Sequence, residues 1–251
     1  MPFSLKLVES LLAESPDHVG LLLTACRGFV LYSYAYVDLE AERRVSDDLD
    51  SANELRARAR RLYLRGHAYG VRALEQGYPG FAATLAKNPP GAAAMVTAQN
   101  VERDVEALYC VAASLALAIS ASRTDVAMLA RLEEVEVLID WALALDESWN
   151  DGALHELAIQ WAAARRGAPD VDAVRGHFER ALELSRGSRA GVYVAYAEAV
   201  ALPAQKRAEF EALLEQALAV DAFADPDNRL LNRVAQRRAR WLLQRADELF
   251  L

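Results

Sequence analysis

Cysteine is scarce, with only Cys26 and Cys110 in 251 residues. Two are too few for a disulfide scaffold or a thiolate zinc site. They could form one bridge or stay apart, and their place on apolar helical faces favours buried, inert thiols. Glycine and proline are also few, 12 and 8, so the strongest helix breakers are thin on the ground. Basic residues are the minority: 28 Lys and Arg face 36 Asp and Glu, a net charge of −8. That balance argues against a nucleic-acid partner or an anionic membrane surface. Long hydrophobic runs are missing too. The stretch Val105 to Ser122 is interrupted by Glu106 and Ser114 and falls short of the roughly 20 residues a membrane span needs. The opening Met1-Pro2-Phe3-Ser4-Leu5-Lys6 has no basic segment leading into a long apolar one. It leaves two readings, a cytoplasmic protein or one whose targeting segment is missing from this sequence. What is abundant is alanine, 49 residues, in a chain that is 53 % hydrophobic and 25 % charged. Disorder is excluded, and the composition points to an all-α fold.

Apolar spacing marks successive helices. Leu7, Leu11 and Leu12 predict a short first helix ended by Ser15-Pro16, with Asp17 as the cap of the next. From Leu21, the positions Leu22, Ala25, Cys26, Phe29, Val30, Tyr32 and Tyr36 form one broad stripe. Asp47, Asp48 and Asp50 mark a turn or helix start before a long helix from about Asn53 to Glu75. Gly77-Tyr78-Pro79-Gly80 ends it, and Asn88-Pro89-Pro90-Gly91 reads as a loop. Val101 to Ser120 predicts a central, buried helix, and Asp125 to Asp146 another. Further breaks are expected at 166–169, 185–188, Leu202-Pro203 and 223–226.

Three helix ends read alike: Ala142-Leu143-Ala144-Leu145-Asp146, Ala181-Leu182-Glu183-Leu184-Ser185 and Ala217-Leu218-Ala219-Val220-Asp221. They lie 39 and 36 residues apart, and a weaker copy, Ala73-Leu74-Glu75, precedes them by 69. Such a period, with a small residue where two helices close, is the tetratricopeptide pattern. The expected architecture is all-α, irregular helical hairpins in a curved, two-lobed solenoid. It is one helical-repeat domain over 1–251, with an N-terminal lobe at 1–122 and a C-terminal lobe at 123–251. The alternative is an alanine-rich bundle without true repeats.

Enzyme motifs are incomplete. His155-Glu156 opens like a zinc-protease helix, but Ile159 stands where the second ligand belongs. The remaining histidines, His18, His67 and His177, are scattered, and no glycine-rich phosphate loop occurs. A site assembled from separated helices is the residual enzymatic reading. Two arginine groups are conspicuous. Arg56, Arg58, Arg60, Arg61 and Arg65 surround one helix; Arg229, Arg233, Arg237 and Arg240 make a stripe on the last. Each could clamp a carboxylate, or be a solvated face paired with Glu40, Glu42, Asp47 and Glu54. Tyr32 and Tyr36, four residues apart, share a helix face.

The ordered set of segments resembles a known family. It runs through Leu31-Tyr32-Ser33-Tyr34-Ala35-Tyr36-Val37-Asp38, Arg58-Ala59-Arg60-Arg61-Leu62-Tyr63-Leu64-Arg65-Gly66 and Leu108-Tyr109. It continues with Leu145-Asp146-Glu147-Ser148-Trp149-Asn150-Asp151-Gly152, His177-Phe178-Glu179-Arg180 and Asn228-Arg229-Leu230-Leu231-Asn232. From about Leu21 to Phe250 the chain resembles the T component of tetratricopeptide-associated tripartite ATP-independent periplasmic (TRAP) transporters. One departure is Cys110, where an aromatic is expected; another is the lack of a lipoprotein signal and acylated cysteine, read here as truncation. The resemblance implies a non-enzymatic, cofactor-free, lipid-anchored periplasmic homotrimer. It implies docking to a solute-binding protein and an internal channel for a hydrophobic, organic-acid-like ligand. The residues that could line that channel are Tyr32, Tyr36, Tyr63, Arg65 and Tyr109; the alternative for the four tyrosines is that they are core aromatics with bonded hydroxyls. A cytoplasmic tetratricopeptide adaptor holding a peptide in its concave groove is the other reading.

Overall fold

The structure is a computed structural model that describes residues 2–122, 124–165 and 169–250. Among them every regular element is helical. The chain divides into two compact units between Asp146 and Glu147.

The first unit is built around α4 and α7. Its helices are α1 (Phe3–Glu14), α2 (Val19–Ser33), α3 (Leu39–Arg44), α4 (Leu49–Gly77), α5 (Phe81–Leu85), α6 (Pro89–Met95), α7 (Val101–Ser120), α8 (Val126–Leu129) and α9 (Leu132–Asp146). A π-helical turn, Tyr34–Asp38, joins α2 to α3. The element starts have local causes. Asp48 Oδ1 accepts from the Ser51 amide at 2.9 Å and begins α4. Asn100 Oδ1 accepts from Arg103 at 3.1 Å and begins α7, whose first turn carries Glu102 and Asp104. His18, not the expected Asp17, caps α2 through its Nδ1. The expected loop at Asn88 is instead a helix start. Asn88 accepts from the Gly91 amide, and Pro89 sits where a helix needs no N–H. The single helix expected over 125–146 is broken at Ala130 and Arg131 into α8 and α9. α9 lies beyond the expected lobe boundary at 122, yet packs on α6 and α7.

α7 has the expected central place: Val105, Leu108, Val111, Ala112 and Leu115 are wholly buried. α4 reaches its neighbours through small residues. A Cβ on Gly66 would stand 3.1 Å from the Cys26 carbonyl oxygen; one on Gly70 would meet Val111 Cγ2 at 2.8 Å and Cys26 Sγ at 3.1 Å. At this seam Cys26 of α2 and Cys110 of α7 form a disulfide. The bridge decides the open question and overturns the favoured reading of free thiols. The stretch Val19–Arg44 is long and apolar enough to cross a membrane; here its first part, α2, packs on α4 and α7, and α3 packs on α4.

The second unit contains α10 (Trp149–Ala164), α11 (Val171–Ser185), α12 (Ala190–Tyr196), α13 (Arg207–Ala219), α14 (Arg229–Gln244) and α15 (Ala246–Leu249). A second π-helical turn, Ala197–Ala201, continues α12. Asn150, Asp151 and Gly152 at the head of α10 are left-handed, with φ of 47°, 53° and 81°. There a Cβ on Gly152 would meet the Ala181 Cα at 3.3 Å. The repeated alanines Ala142, Ala181 and Ala217 are fully buried, as a small residue at a helix contact should be. Phe178, one turn before Ala181, stacks on Tyr196 at 4.2 Å. Among the other expected breaks, Arg186 and Gly187 turn left-handed; residues 166–168 of the expected break at 166–169 lie outside the described residues.

Candidate functional site

Three side-chain groups merit attention, and the first lies where the sequence placed most of its candidates. The π-helical turn shifts the facing of the residues it contains. Asp38 meets the wholly buried Tyr63 of α4, whose hydroxyl donates to Asp38 Oδ2 at 2.9 Å. Burial, then the Asp38 charge, pushes the Tyr63 phenol well up, so it stays a protonated donor. Tyr36 faces outward, 60 % exposed, and its ring stacks on Tyr32 at 5.8 Å. The Tyr32 hydroxyl accepts from Arg58 at 3.4 Å. Beside them lies an open cleft of about 540 Å³ lined by Arg44, Ser51, Glu54, Leu55, Ala57, Arg58 and Arg61. Arg44 is committed to Glu40 and Ser51. Arg58 and Arg61 have no carboxylate partner among the described residues.

The remaining candidates lie elsewhere in the first unit. Arg65 pairs with Glu9 of α1 and sits 5.1 Å over the Phe29 ring. Tyr109 is half-buried on α7 beside Cys110. The structure therefore joins Tyr32, Tyr36 and Arg58, and ties the buried Tyr63 to Asp38 instead. On α14, Arg229, Arg233, Arg237 and Arg240 are all exposed, which fits the solvated-face reading. Arg60 pairs with Asp125 at 2.5 Å.

The second group surrounds His67, which the sequence left among scattered histidines. His67 is buried on α4; its Nδ1 lies 3.2 Å from the Val111 carbonyl and its Nε2 3.0 Å from Arg131 Nη2. A guanidinium only donates, so Nε2 must accept and the proton sits on Nδ1. Burial, reinforced by Arg131, lowers the His67 pKa to about 4, and the ring is neutral at ordinary pH. Arg131 is also bidentate on Glu134, at 2.7 and 2.8 Å. These three line a hollow of about 460 Å³ whose other walls are mostly apolar.

The third group lies in the second unit. His155 Nδ1 and His177 Nδ1 are 2.8 Å apart, and His155 Nε2 is 3.3 Å from Glu147 Oε2. Arg180 holds Glu147 at 2.5 Å. Burial, then the neighbouring His177, lowers the His155 pKa; the Arg180 hydrogen bond lowers that of Glu147. The carboxylate accepts from Nε2–H, which leaves Nδ1 to accept from His177. Two histidines read as scattered are thus paired, because α10 and α11 pack together and linear spacing does not show it. Among the described residues no three His, Cys, Asp or Glu gather to hold a metal. The groups described can bind anions and share protons.

Two comparisons bear on identity. A family profile described as TRAP transporter T-component matches residues 1–250. An uncharacterized protein of Treponema pallidum (strain Nichols) is 30 % identical over 253 residues, covering 100 % of this chain and 78 % of that one.

Proposed function

Since the chain belongs to the TRAP transporter T-component family, an accessory rather than an enzyme class, we propose that it docks the solute-binding protein of its system in the periplasm. In this reading the full-length protein is lipid-anchored and homotrimeric. Its helices stack as tetratricopeptide-like hairpins, and an internal channel holds or passes a hydrophobic, organic-acid-like ligand. The family suggests a periplasmic or membrane-associated location. The Cys26–Cys110 bridge favours the periplasm over the cytoplasmic adaptor, because disulfides persist in oxidising compartments.

The observation that carries the docking role is the surface formed by Tyr36, Arg58 and Arg61. Tyrosine and arginine are the residue types that anchor protein interfaces. Here the exposed Tyr36 ring stacks on Tyr32, whose hydroxyl accepts from Arg58, and Arg58 and Arg61 line one cleft without a carboxylate partner among the described residues. Arg44, Glu54, Ala57, Arg58 and Arg61 of the cleft are exposed, so a small molecule lying there would stay largely in water; a partner's surface would cover them. Arg58 and Arg61 would meet acidic groups of that partner. Glu54, in the same cleft, is the local competitor.

Native mass spectrometry of the full-length protein with its solute-binding partner tests the reading. Trimers and a stable complex are expected. The double variant Arg58→Ala, Arg61→Ala should weaken the complex about tenfold or more and flatten its salt dependence. A monomer that ignores the partner overturns the reading; an unaffected complex overturns this face alone.

A further inference from the structure

We propose that the His155–His177 contact is a proton-operated latch, which holds the α10–α11 hairpin closed and releases it in acid. The device lies in the second unit and does not depend on the docking role above. His155 projects from α10 and is buried; His177 comes from α11 and is half-buried. Their Nδ1 atoms stand 2.8 Å apart, a gap with room for one proton and not two. With His155 donating its Nε2–H to Glu147, His177 supplies the Nδ1 proton and His155 the lone pair. A first added proton goes to Nε2 of His177, away from the contact, and leaves the hydrogen bond in place. A second has only Nδ1 of His155 to go to. Two N–H groups then point at each other between two cationic rings.

The surrounding charges set the same limit. Arg180 holds both Glu147 and Glu183, so two carboxylates face one guanidinium and the surplus offsets one imidazolium. The second imidazolium has no counter-charge. The other elements packed on α10 bring none. Arg189, before α12, is taken by Glu156 at 3.0 Å, and Glu198 of the second π-helical turn is taken by Arg238 at 2.6 Å. On α11, Arg175 pairs with Asp172 at 3.6 Å. Asp151 and Glu179 are exposed and pair with neither ring among the described residues. Burial, then the neighbouring His177, lowers the His155 pKa, so the second proton enters below the ordinary histidine range.

The hairpin also stores a reason to move. Asn150, Asp151 and Gly152 run left-handed at the head of α10. α11 closes over them, since a Cβ on Gly152 would stand 3.2 Å from Leu184 Cβ, and Arg189 Nη1 donates to the Asn150 carbonyl at 3.2 Å. Backbone strain of this kind persists only while neighbours impose it, and parting the two rings loosens that hold.

Hydrogen exchange of the whole chain, read by mass spectrometry at about pH 7.5 and about pH 5 and corrected for the chemical rate, tests the latch. Opening of α10 and α11, measured against α13 and α14, should rise about tenfold or more in acid. His155→Gln removes the buried ring that takes the second proton. His177→Gln keeps a donor beside His155 and removes its cationic neighbour. Each should lose most of the rise. Ring-carbon NMR of the parent, which needs no variant, should show the two histidines titrating as a coupled pair with a lowered second step. No rise in the parent overturns the latch. So does a rise that both glutamine variants keep, an equal rise in α13 and α14, or two rings that titrate independently.

Discussion

Gly70 sits where α2, α4 and α7 crowd together. Alanine there would gain roughly 1 kcal/mol of helix propensity. Its methyl would press on Val111 at 2.8 Å and on the disulfide sulfur at 3.1 Å, and overpacking of that kind costs about 1–3 kcal/mol. Gly70→Ala should therefore destabilise the first unit, read as a lower thermal midpoint. His67 makes a prediction about pH. Its folded pKa, about 4, lies below the ordinary 6.5, so the unfolded chain binds the extra proton in that window. Stability supplied by neutral His67 is complete above pH 6.5 and is lost as the pH falls towards 4, about 3 kcal/mol in all. Denaturant titrations should show this slope in the parent and lose most of it in His67→Gln. Neither effect is legible in the sequence. Gly70 and His67 look like ordinary members of a helical run until α7 is laid against them.

Helices were the most legible feature. Val101–Ser120 stands where its apolar pattern put it, and the alanines of the repeated helix ends are buried. Spacing on one helix is a local property and survives in the sequence. The π-helical turns at 34–38 and 197–201 do not announce themselves, since a single extra residue in a turn leaves the apolar stripe nearly intact. Each brings a carboxylate to another helix. Asp38 receives Tyr63, and Glu198 receives Arg238 at 2.6 Å. Burial pushes the Glu198 pKa up to about 7, but an arginine this close favours the ionised form. Helix pairing was just as hidden, which is why the sequence left the Cys26–Cys110 bridge open and missed the His155–His177 contact. At this scale the bridge is a tie between α2 and α7 across 84 residues of chain. Closing a loop of that length stabilises by about 4.5 kcal/mol in the chain-entropy account. Reduction, or Cys26→Ala with Cys110→Ala, should lower the unfolding midpoint of the first unit while leaving the second unit's helices intact. Calorimetry with and without reductant checks this.

Across the whole molecule, the net charge of −8 makes the cationic cleft a local exception. Association through it should slow as salt rises, and stopped-flow mixing with the solute-binding protein would show the decline. The candidate residues were partly legible at this scale. Tyr32 and Tyr36 share a face by simple periodicity. Their meeting with Arg58, and the separation of Arg65 and Tyr109 from them, depends on how α2, α4 and α7 are set side by side.

The sulfur link also changes what a protease can do. Cutting the connection between α3 and α4, near residues 45–48, severs the backbone inside the cross-linked loop. The two pieces stay tethered, so the nicked molecule keeps its full mass in oxidising buffer. Only adding a thiol sets the fragments free, and a pair of gels run with and without reductant would reveal the hidden cut.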